Sequence, residues 1–492
     1  MEVLREAASY INLTYIAVLI AGVIAGYVIG ALPGFSATMG VALFIPFSYS
    51  MDVYSSFGFL IALYCSAVFA GSIPAILIRT PGTPAAVATI YDGYPLAKKG
   101  EAGKALGLAC WASVFGGIVS GLLLICLANA VARAALAFGP QEYFALAMLG
   151  IAMVVGMSSD NIIKGFIAAA FGLLVTVVGM DSASGMPRFT FGNVHLLSGF
   201  QELPVMIGIF AISEVFFGLN EPQREAAQKQ KITGLFSGIP DMLRNWKLLI
   251  YSSLMGTFLG ALPGVGATTA SIVGYNQAKR TSKEPEKMGT GQPEGIIGPE
   301  CANNAVTGGA LIPMLALGIP GDSVTAILLG ALMIHGLNPG PELFAKSPAI
   351  VTNIYLGFIL SYIVIFVISI FSIKLIARIL NVKTSILSAF VLVFCLVGVY
   401  ALQNSFFDIY VAIAFGLIGY FMRKHGFDLG SFTLAFILGS MIETKLALGL
   451  KISKGSFAAF FTRPISGTLL VITILFVVLS AVRIRKAARK NS

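Results

Sequence analysis

Charge is what this chain has least of. Only 11% of its 492 residues are Asp, Glu, Lys or Arg, while 57% are hydrophobic. An ordinary soluble domain carries roughly a quarter charged residues, so globular cores cannot absorb this apolar excess, whereas a lipid solvent can. No charged residue occurs from Ala7 to Ser50, and none from Val53 to Ile78. Each run exceeds the roughly 20 residues that cross a bilayer. Cysteine is sparse as well: Cys65, Cys110, Cys126, Cys301 and Cys395 have apolar neighbours and no C-x-x-C spacing, which argues against a disulfide framework or a thiolate metal site and for buried thiols. His195, His335 and His425 lie far apart with no H-E-x-x-H spacing, so a metal centre is not expected. No nucleophile-elbow, zincin or Walker pattern stands in a suitable place, which sets a membrane-embedded enzyme aside.

What is present points to a polytopic helical protein. The apolar stretch Ile11–Ile29 has a weak basic flank and further hydrophobic segments after it, so it reads as a first helix, not a cleaved signal. The net charge of +10 would suggest nucleic acid in a soluble protein; here the basic residues sit in short loops, and the positive-inside rule accounts for them without a nucleic-acid partner. Clusters at Lys98, Lys99 and Lys104, from Arg224 to Lys247, from Lys279 to Lys287, at Arg423 and Lys424, and from Arg483 to Lys490 mark the cytoplasmic side and put the C-terminus there. Segments such as Leu146–Val155, Ile167–Val178, Tyr355–Ile370 and Ile386–Val399 read as ordinary spanning helices.

The chain also repeats itself. Gly26-Tyr-Val-Ile-Gly-Ala-Leu-Pro-Gly-Phe-Ser-Ala-Thr38 matches Gly256-Thr-Phe-Leu-Gly-Ala-Leu-Pro-Gly-Val-Gly-Ala-Thr268, and a P-x6-P-G pattern runs from Pro74 to Gly82 and again from Pro313 to Gly321. A weaker third pair joins Ala170-Phe-Gly-Leu173 to Ala414-Phe-Gly-Leu417. The blocks recur in the same order, about 230 to 250 residues apart, as in internally repeated transporters. Residues 1–219 form a first membrane repeat on this reading, 220–247 a basic cytoplasmic linker, and 248–492 a second membrane repeat. The expected fold is an all-α bundle of two inverted-topology repeats with helices interrupted at the Gly/Pro sites.

Pro and Gly within a span release backbone groups that lipid cannot satisfy, so such interruptions belong beside protein or a wet cavity. At Ala31–Phe35 and Ala261–Val265 a helix is expected to stop, and the half-helices opened by Ser36, Thr38, Thr268 and Thr269 offer N–H groups and a positive dipole end to an anion. A plain proline kink is the competing account. The second pair of interruptions differs in charge, reading Arg79-Thr80-Pro-Gly-Thr83-Pro84 and Gly318-Ile-Pro-Gly-Asp322-Ser323. Arg79, with Thr80, Thr83 and Ser323, is placed to hold a substrate carboxylate, and Asp322 with the carbonyls of Gly30, Ala31, Gly260 and Ala261 to hold a coupling cation, sodium or a proton. An intramembrane charge is expensive, so both charged residues are expected to face the interior, a cavity or each other, although an Arg that snorkels to an interface or pairs structurally is the alternative. Glu294 to Thr307 brings Glu300, Asn303 and Asn304 to a helix start, with the two amides as further substrate candidates and helix capping as the bland account.

These motifs resemble the large membrane subunit (TctA) of the tripartite tricarboxylate transporter family. Gly30-Ala-Leu-Pro-Gly34, Pro81-Gly-Thr-Pro-Ala-Ala-Val-Ala-Thr89, Asp92-Gly-Tyr-Pro-Leu-Ala-Lys-Lys-Gly100, Gly260-Ala-Leu-Pro-Gly264, Pro293-Glu-Gly295, Ala302-Asn-Asn-Ala305 and Gly318-Ile-Pro-Gly-Asp322 carry the likeness. The resemblance implies a translocating subunit in a bacterial inner membrane. It works with a small membrane subunit (TctB-like) and a periplasmic binding protein (TctC-like) that delivers a small carboxylate such as citrate, with uptake coupled to an ion gradient. The family's usual residues before the first P-G-T-P are Asn-Ile, where this chain has Arg79-Thr80. A passive anion pore is the functional alternative, since repeats and interrupted helices serve pores too.

Overall fold

The computed structural model describes residues 2–157, 162–181, 184–218, 232–379 and 384–490. Asp160 and residues 220–231 of the expected linker lie outside the described residues. Helices make up most of the described residues. Among the described residues the one strand pairing is a two-residue antiparallel ribbon, Gly179–Met180 against Pro187–Arg188. Leu13–Ala31, Val53–Ile78, Ile90–Ala135, Pro348–Phe371, Phe406–Lys424 and Leu429–Ile452 are long and apolar enough to cross a membrane. The four segments read as spanning helices fall on Pro140–Met157, Ile162–Thr176, Pro348–Ile379 and Thr384–Gln403. The second of them stops short of Val178 as a helix, because Gly179 takes φ +122° and opens the ribbon. Large apolar side chains turn outward on the peripheral helices, among them Leu13 and Ile24 near the start and Val471, Leu475 and Leu479 near the end. In water such a face would be a liability, and in lipid it is solvent contact.

Glycine sets how closely the central helices approach. On Leu13–Ala31, the residues Gly22, Gly26 and Gly30 recur every four positions and lie against the backbone of Phe59, Leu63 and Ala67 on Val53–Ala70. Trp246–Ala261 uses Gly256 and Gly260 in the same way against Ala302 and Val306 of Glu294–Leu317. Small residues four apart are the usual means of close helix approach where lipid removes a hydrophobic drive. The two long partners then pack across the molecule: Val53–Ala70 on Pro348–Ile379, and Glu294–Leu317 on Ala102–Ala135, where Gly116 meets the Cys301 carbonyl.

The chain leaves helical geometry at four places that position the candidate site. One helix ends at Ala31 and the next begins at Ala37, capped by the Ser36 hydroxyl, which accepts from the Met39 N–H at 3.1 Å. Trp246–Ala261 likewise ends before Gly266–Thr281 begins, this time with no side-chain cap. Ser72–Ile78 closes on Arg79 and Glu294–Leu317 closes on Gly318, both in the left-handed region, at φ 57° and 70°. A left-handed C-cap satisfies the last carbonyls of a helix; glycine adopts it freely, whereas Arg79 does so at a cost of about 1 to 3 kcal/mol.

Within each set the second non-helical segment touches the helix end that precedes the first. A Cβ on Gly82 would fall inside the Gly30 carbonyl, and a Cβ on Gly321 would lie 2.5 Å from the Gly260 carbonyl oxygen and 2.7 Å from the Ala310 Cα. The Gly264 N–H also donates to the Gly321 carbonyl at 2.8 Å. Because these neighbours of Gly321 are backbone atoms or the Ala310 Cβ attached directly to it, they cannot swing aside. Replacing Gly321 by Val is expected to lower stability by about 1 to 3 kcal/mol as an overpacking defect. Chemical denaturation of the detergent-solubilised protein measures this, and a midpoint equal to wild type would contradict the close approach.

Candidate functional site

Asp322 is the charged residue that the fold buries at these segments, at 8% exposure. It caps Ser323–Ile334: its Oδ1 accepts from the Thr325 N–H at 2.8 Å, and the Thr325 hydroxyl in turn accepts from the Asp322 N–H at 2.9 Å. This reciprocal arrangement is a capping box. Its other oxygen, Oδ2, accepts from the Tyr64 hydroxyl at 2.6 Å. Tyr64 comes from Val53–Ala70, so the carboxylate ties the Gly318–Asp322 turn to a helix more than 250 positions away in the chain. Sequence reasoning found Asp322 from its motif but not Tyr64, since a buried tyrosine in an apolar run carries no signal of its partner.

Arg79 is placed differently. It is exposed, and its guanidinium lies 6.0 Å from the centre of the Tyr94 ring. Asp322 is buried among protein, whereas the Arg79 side chain is exposed. The left-handed turn at Arg79 ends the preceding helix. Next to it, Thr80 is half-buried, and Thr83 is buried with its hydroxyl lacking any hydrogen-bond partner among the described residues. Ser36 is committed to its cap and Thr38 is buried, while Thr268, Thr269 and Ser323 are half-buried in the first turns of their helices. Gly30, Ala31 and Gly260 are buried and Ala261 half-buried.

Asn303 and Asn304 are fully buried and engaged with protein. The Asn303 amide donates to the Ala85 carbonyl at 3.0 Å, which fastens Glu294–Leu317 to the short turn Pro84–Ala86 that follows Thr83. The Asn304 amide donates to the Ser113 hydroxyl at 2.9 Å. Capping does not account for either residue, because both lie well inside the helix.

Asp92 was missed as a working residue by sequence reasoning. Fully buried, it accepts N–H groups from Gly289, Gly291 and Gln292 at 2.7 to 3.0 Å, and the Tyr275 hydroxyl at 3.0 Å. Gly289 and Gly291, at φ +91° and +103°, aim those N–H groups inward. One carboxylate thereby pins the polar loop before Glu294 to the helix Ile90–Leu96.

A cavity of about 710 Å³ lies elsewhere, lined by Arg188, Glu202, Gln201, Asp408 and Glu443 among others. Arg188 bonds to Glu443 at 2.6 Å, which holds the guanidinium still more firmly protonated. None of the predicted site residues lines this cavity, while Pro33, Gly34 and Phe35 border a pocket of about 20 Å³ with Glu214 and Ser388.

An Asp92→Asn substitution replaces an acceptor by an amide whose NH2 opposes inward-facing N–H groups. Hydrogen bonds to a charged group are worth about 1.5 to 3 kcal/mol each, so loss of several frees the loop. Limited proteolysis at Lys283 and Lys287 is expected to accelerate at least tenfold, and an unchanged cleavage rate would contradict the clamp.

Comparison with known proteins gives the family. Residues 16–434 match the Tripartite tricarboxylate transporter TctA family. An uncharacterized 52.8 kDa protein in the TAR-I ttuC' 3' region of Agrobacterium vitis is 34% identical over 459 residues, covering 93% of this chain and 91% of that protein. A protein in the TAR-II ttuC' 3' region of the same organism is 34% identical over 225 residues, covering 46% of this chain and 93% of that protein. No solved structure matches. The chain therefore belongs to the tripartite tricarboxylate transporter TctA family, a family of multi-pass membrane transport components.

Proposed function

We propose that this chain is the translocating subunit of an ion-gradient-driven importer of small carboxylates, a tricarboxylate such as citrate or a related dicarboxylate. It accepts them from a periplasmic binding protein in a bacterial inner membrane, with a small membrane subunit as its partner and its C-terminus in the cytoplasm. The observation that carries the reading is the paired non-helical segments, Leu32–Ser36 with Arg79–Thr83 and Leu262–Val265 with Gly318–Asp322, in each pair a glycine of the second segment lying on a carbonyl of the helix end before the first. Discontinuous helices in corresponding positions of two halves are the sequence and structural pointer to a midplane transport site.

Inverted topology is supported by charge and packing together. Trp246–Ala261 and Gly266–Thr281 begin and end beside basic clusters, so this hairpin enters from the cytoplasm by the positive-inside rule. Its counterpart ends at Tyr49, which packs near His335 at the far end of Ser323–Ile334, and so enters from the other face. On this reading residues 1–219 and 248–492 are the two repeats.

Within the site, Asp322 and the carbonyls of Gly30, Ala31, Gly260 and Ala261 serve the coupling cation, sodium or a proton. Donors serve the carboxylate: exposed Arg79, the unpartnered Thr83 hydroxyl, Thr80, Ser36, Thr38, Thr268, Thr269 and Ser323, with Asn303 and Asn304 setting the helix beside them. A hard cation needs oxygen ligands and a carboxylate needs donors, so two kinds of substitution separate. In proteoliposomes holding the full complex, Asp322→Asn is expected to weaken the ion dependence of citrate uptake while sparing preference among carboxylates. Arg79→Asn is expected to alter affinity or preference with the ion dependence intact. A shift of less than threefold for Arg79→Asn, about 0.65 kcal/mol, would reject its contact with substrate, and counterflow-free, gradient-independent flux would favour a pore.

A further inference from the structure

Glu300 is a fully buried acid that none of the roles above uses. It lies on Glu294–Leu317, six residues from the start, a rise of about 9 Å into the helix. Its oxygens meet neutral groups: Thr89 donates to Oε1, Ser113 donates to Oε2 at 3.1 Å, and the Asn303 side chain interacts with the same carboxyl. Among the described residues no Lys, Arg or His forms an ion pair with it. The titratable groups on the elements around it are neutral or engaged elsewhere. Cys301, next in the chain, bonds the Leu249 carbonyl and Ser253 on Trp246–Ala261. Asp92, on the segment after Thr89, is held by the loop N–H groups and by Tyr275 of Gly266–Thr281, and Lys104 on the Ser113 helix pairs with Asp241 at 2.8 Å.

An ionised carboxylate in such a place would carry the full cost of a buried, unpaired charge, which proteins avoid by neutralising the group. The packing does not require an acid either. The Thr89 and Ser113 hydroxyls can rotate to accept as readily as donate, so an amide of the same shape would fit. Intramembrane acids that are costly and structurally dispensable mark ion or proton pathways.

The surroundings give that acid a direction. From Glu300 a row of buried polar groups runs along the same helix. The Asn304 amide donates to the Ser113 hydroxyl, Thr307 donates to the Asn304 carbonyl at 2.7 Å, and the Thr307 and Tyr362 hydroxyls are 2.8 Å apart. Tyr362 also interacts with Cys65, the neighbour in sequence of Tyr64, and Tyr64 holds Asp322. A polar line thus leads from Glu300 as far as Cys65, whose chain neighbour Tyr64 holds Asp322, through helices of both halves.

We propose that Glu300 carries an exchangeable proton and is a second ion-coupling group of the transport cycle, distinct from Asp322. The proton adds to one carboxylate oxygen to give the neutral acid of this conformation and leaves when that O–H bond breaks in a conformation that wets the site. This rests on the transporter reading of the chain, and two measurements separate the two claims. Infrared spectroscopy of the purified full chain through a pH titration is expected to contain a protonated-carboxyl band that disappears in Glu300→Gln and moves in Ser113→Ala. In proteoliposomes containing the full complex, Glu300→Gln is expected to reduce the acceleration of citrate uptake by an inward proton gradient at least tenfold, while citrate counterflow continues within threefold of wild type. A proton-gradient response equal to wild type, in a variant that retains counterflow, would overturn the proposal. So would a carboxyl band unaffected by both substitutions. Should Glu300→Gln not fold, the Ser113→Ala band shift decides, its absence counting against Glu300. Failure of the wild-type complex to move any carboxylate would instead strike the transporter reading, with the infrared band still judging the acid.

Discussion

Backbone that leaves the helix among tightly packed helices must find partners without water, and each buried group that fails costs several kcal/mol. The rest of this structure depends on how that constraint is met. At Gly30 and Gly82, and again at Gly260 and Gly321, two chain segments come so close that no Cβ fits between them. That proximity lets one segment's carbonyls answer the other's needs, as the Gly264 N–H does with the Gly321 carbonyl. Glycine is therefore less a flexible element here than a spacer of zero thickness. The same device draws Leu13–Ala31 onto Val53–Ala70 and Trp246–Ala261 onto Glu294–Leu317, and it is these tight pairs that hold the turns in place.

Polar side chains complete the arrangement. Asp322 caps one helix while bonded to Tyr64 of another, Asn303 fastens a long helix to the turn after Thr83, and Asp92 gathers a whole loop by its N–H groups. Each of these joins segments distant in the chain. A partly satisfied buried network is costly whereas a complete one fixes a single arrangement, which makes these contacts determinants of register as much as of stability. Thr83 stands apart, as a buried hydroxyl at the turn with no partner among the described residues.

The helical membrane class was legible from charge-free runs alone, because lipid-length apolar stretches admit few other solutions. Each expected spanning segment fell on one helix, while the helix ends were less legible: Pro348–Ile379 extends well past Tyr355–Ile370 on both sides, and Ile167–Val178 overran by two at Gly179, where a positive φ opens the ribbon. The family was legible from motifs in which Gly and Pro carry the signal. Side-chain direction was less so. For Arg79 the sequence left interior, cavity and ion-pair placements open, and the residue lies exposed at a left-handed turn that has no signal of its own in the sequence. Asn303 and Asn304 were legible as a polar cluster in an apolar helix, yet their partners, Ala85 and Ser113, come from the other half of the chain. The Asp92 clamp and the Tyr64 contact escaped for the same reason: pairing across some 200 residues leaves no local pattern.

The central claim is that the paired glycine-proline turns form the carboxylate and cation site. A structure of the full complex with bound citrate tests it most directly. The account predicts ligand density within hydrogen-bond reach of donors in the segments 32–38, 79–83, 262–269 or 318–323. Density confined to the cavity beside Arg188 and Glu443, with those four segments untouched, would contradict it.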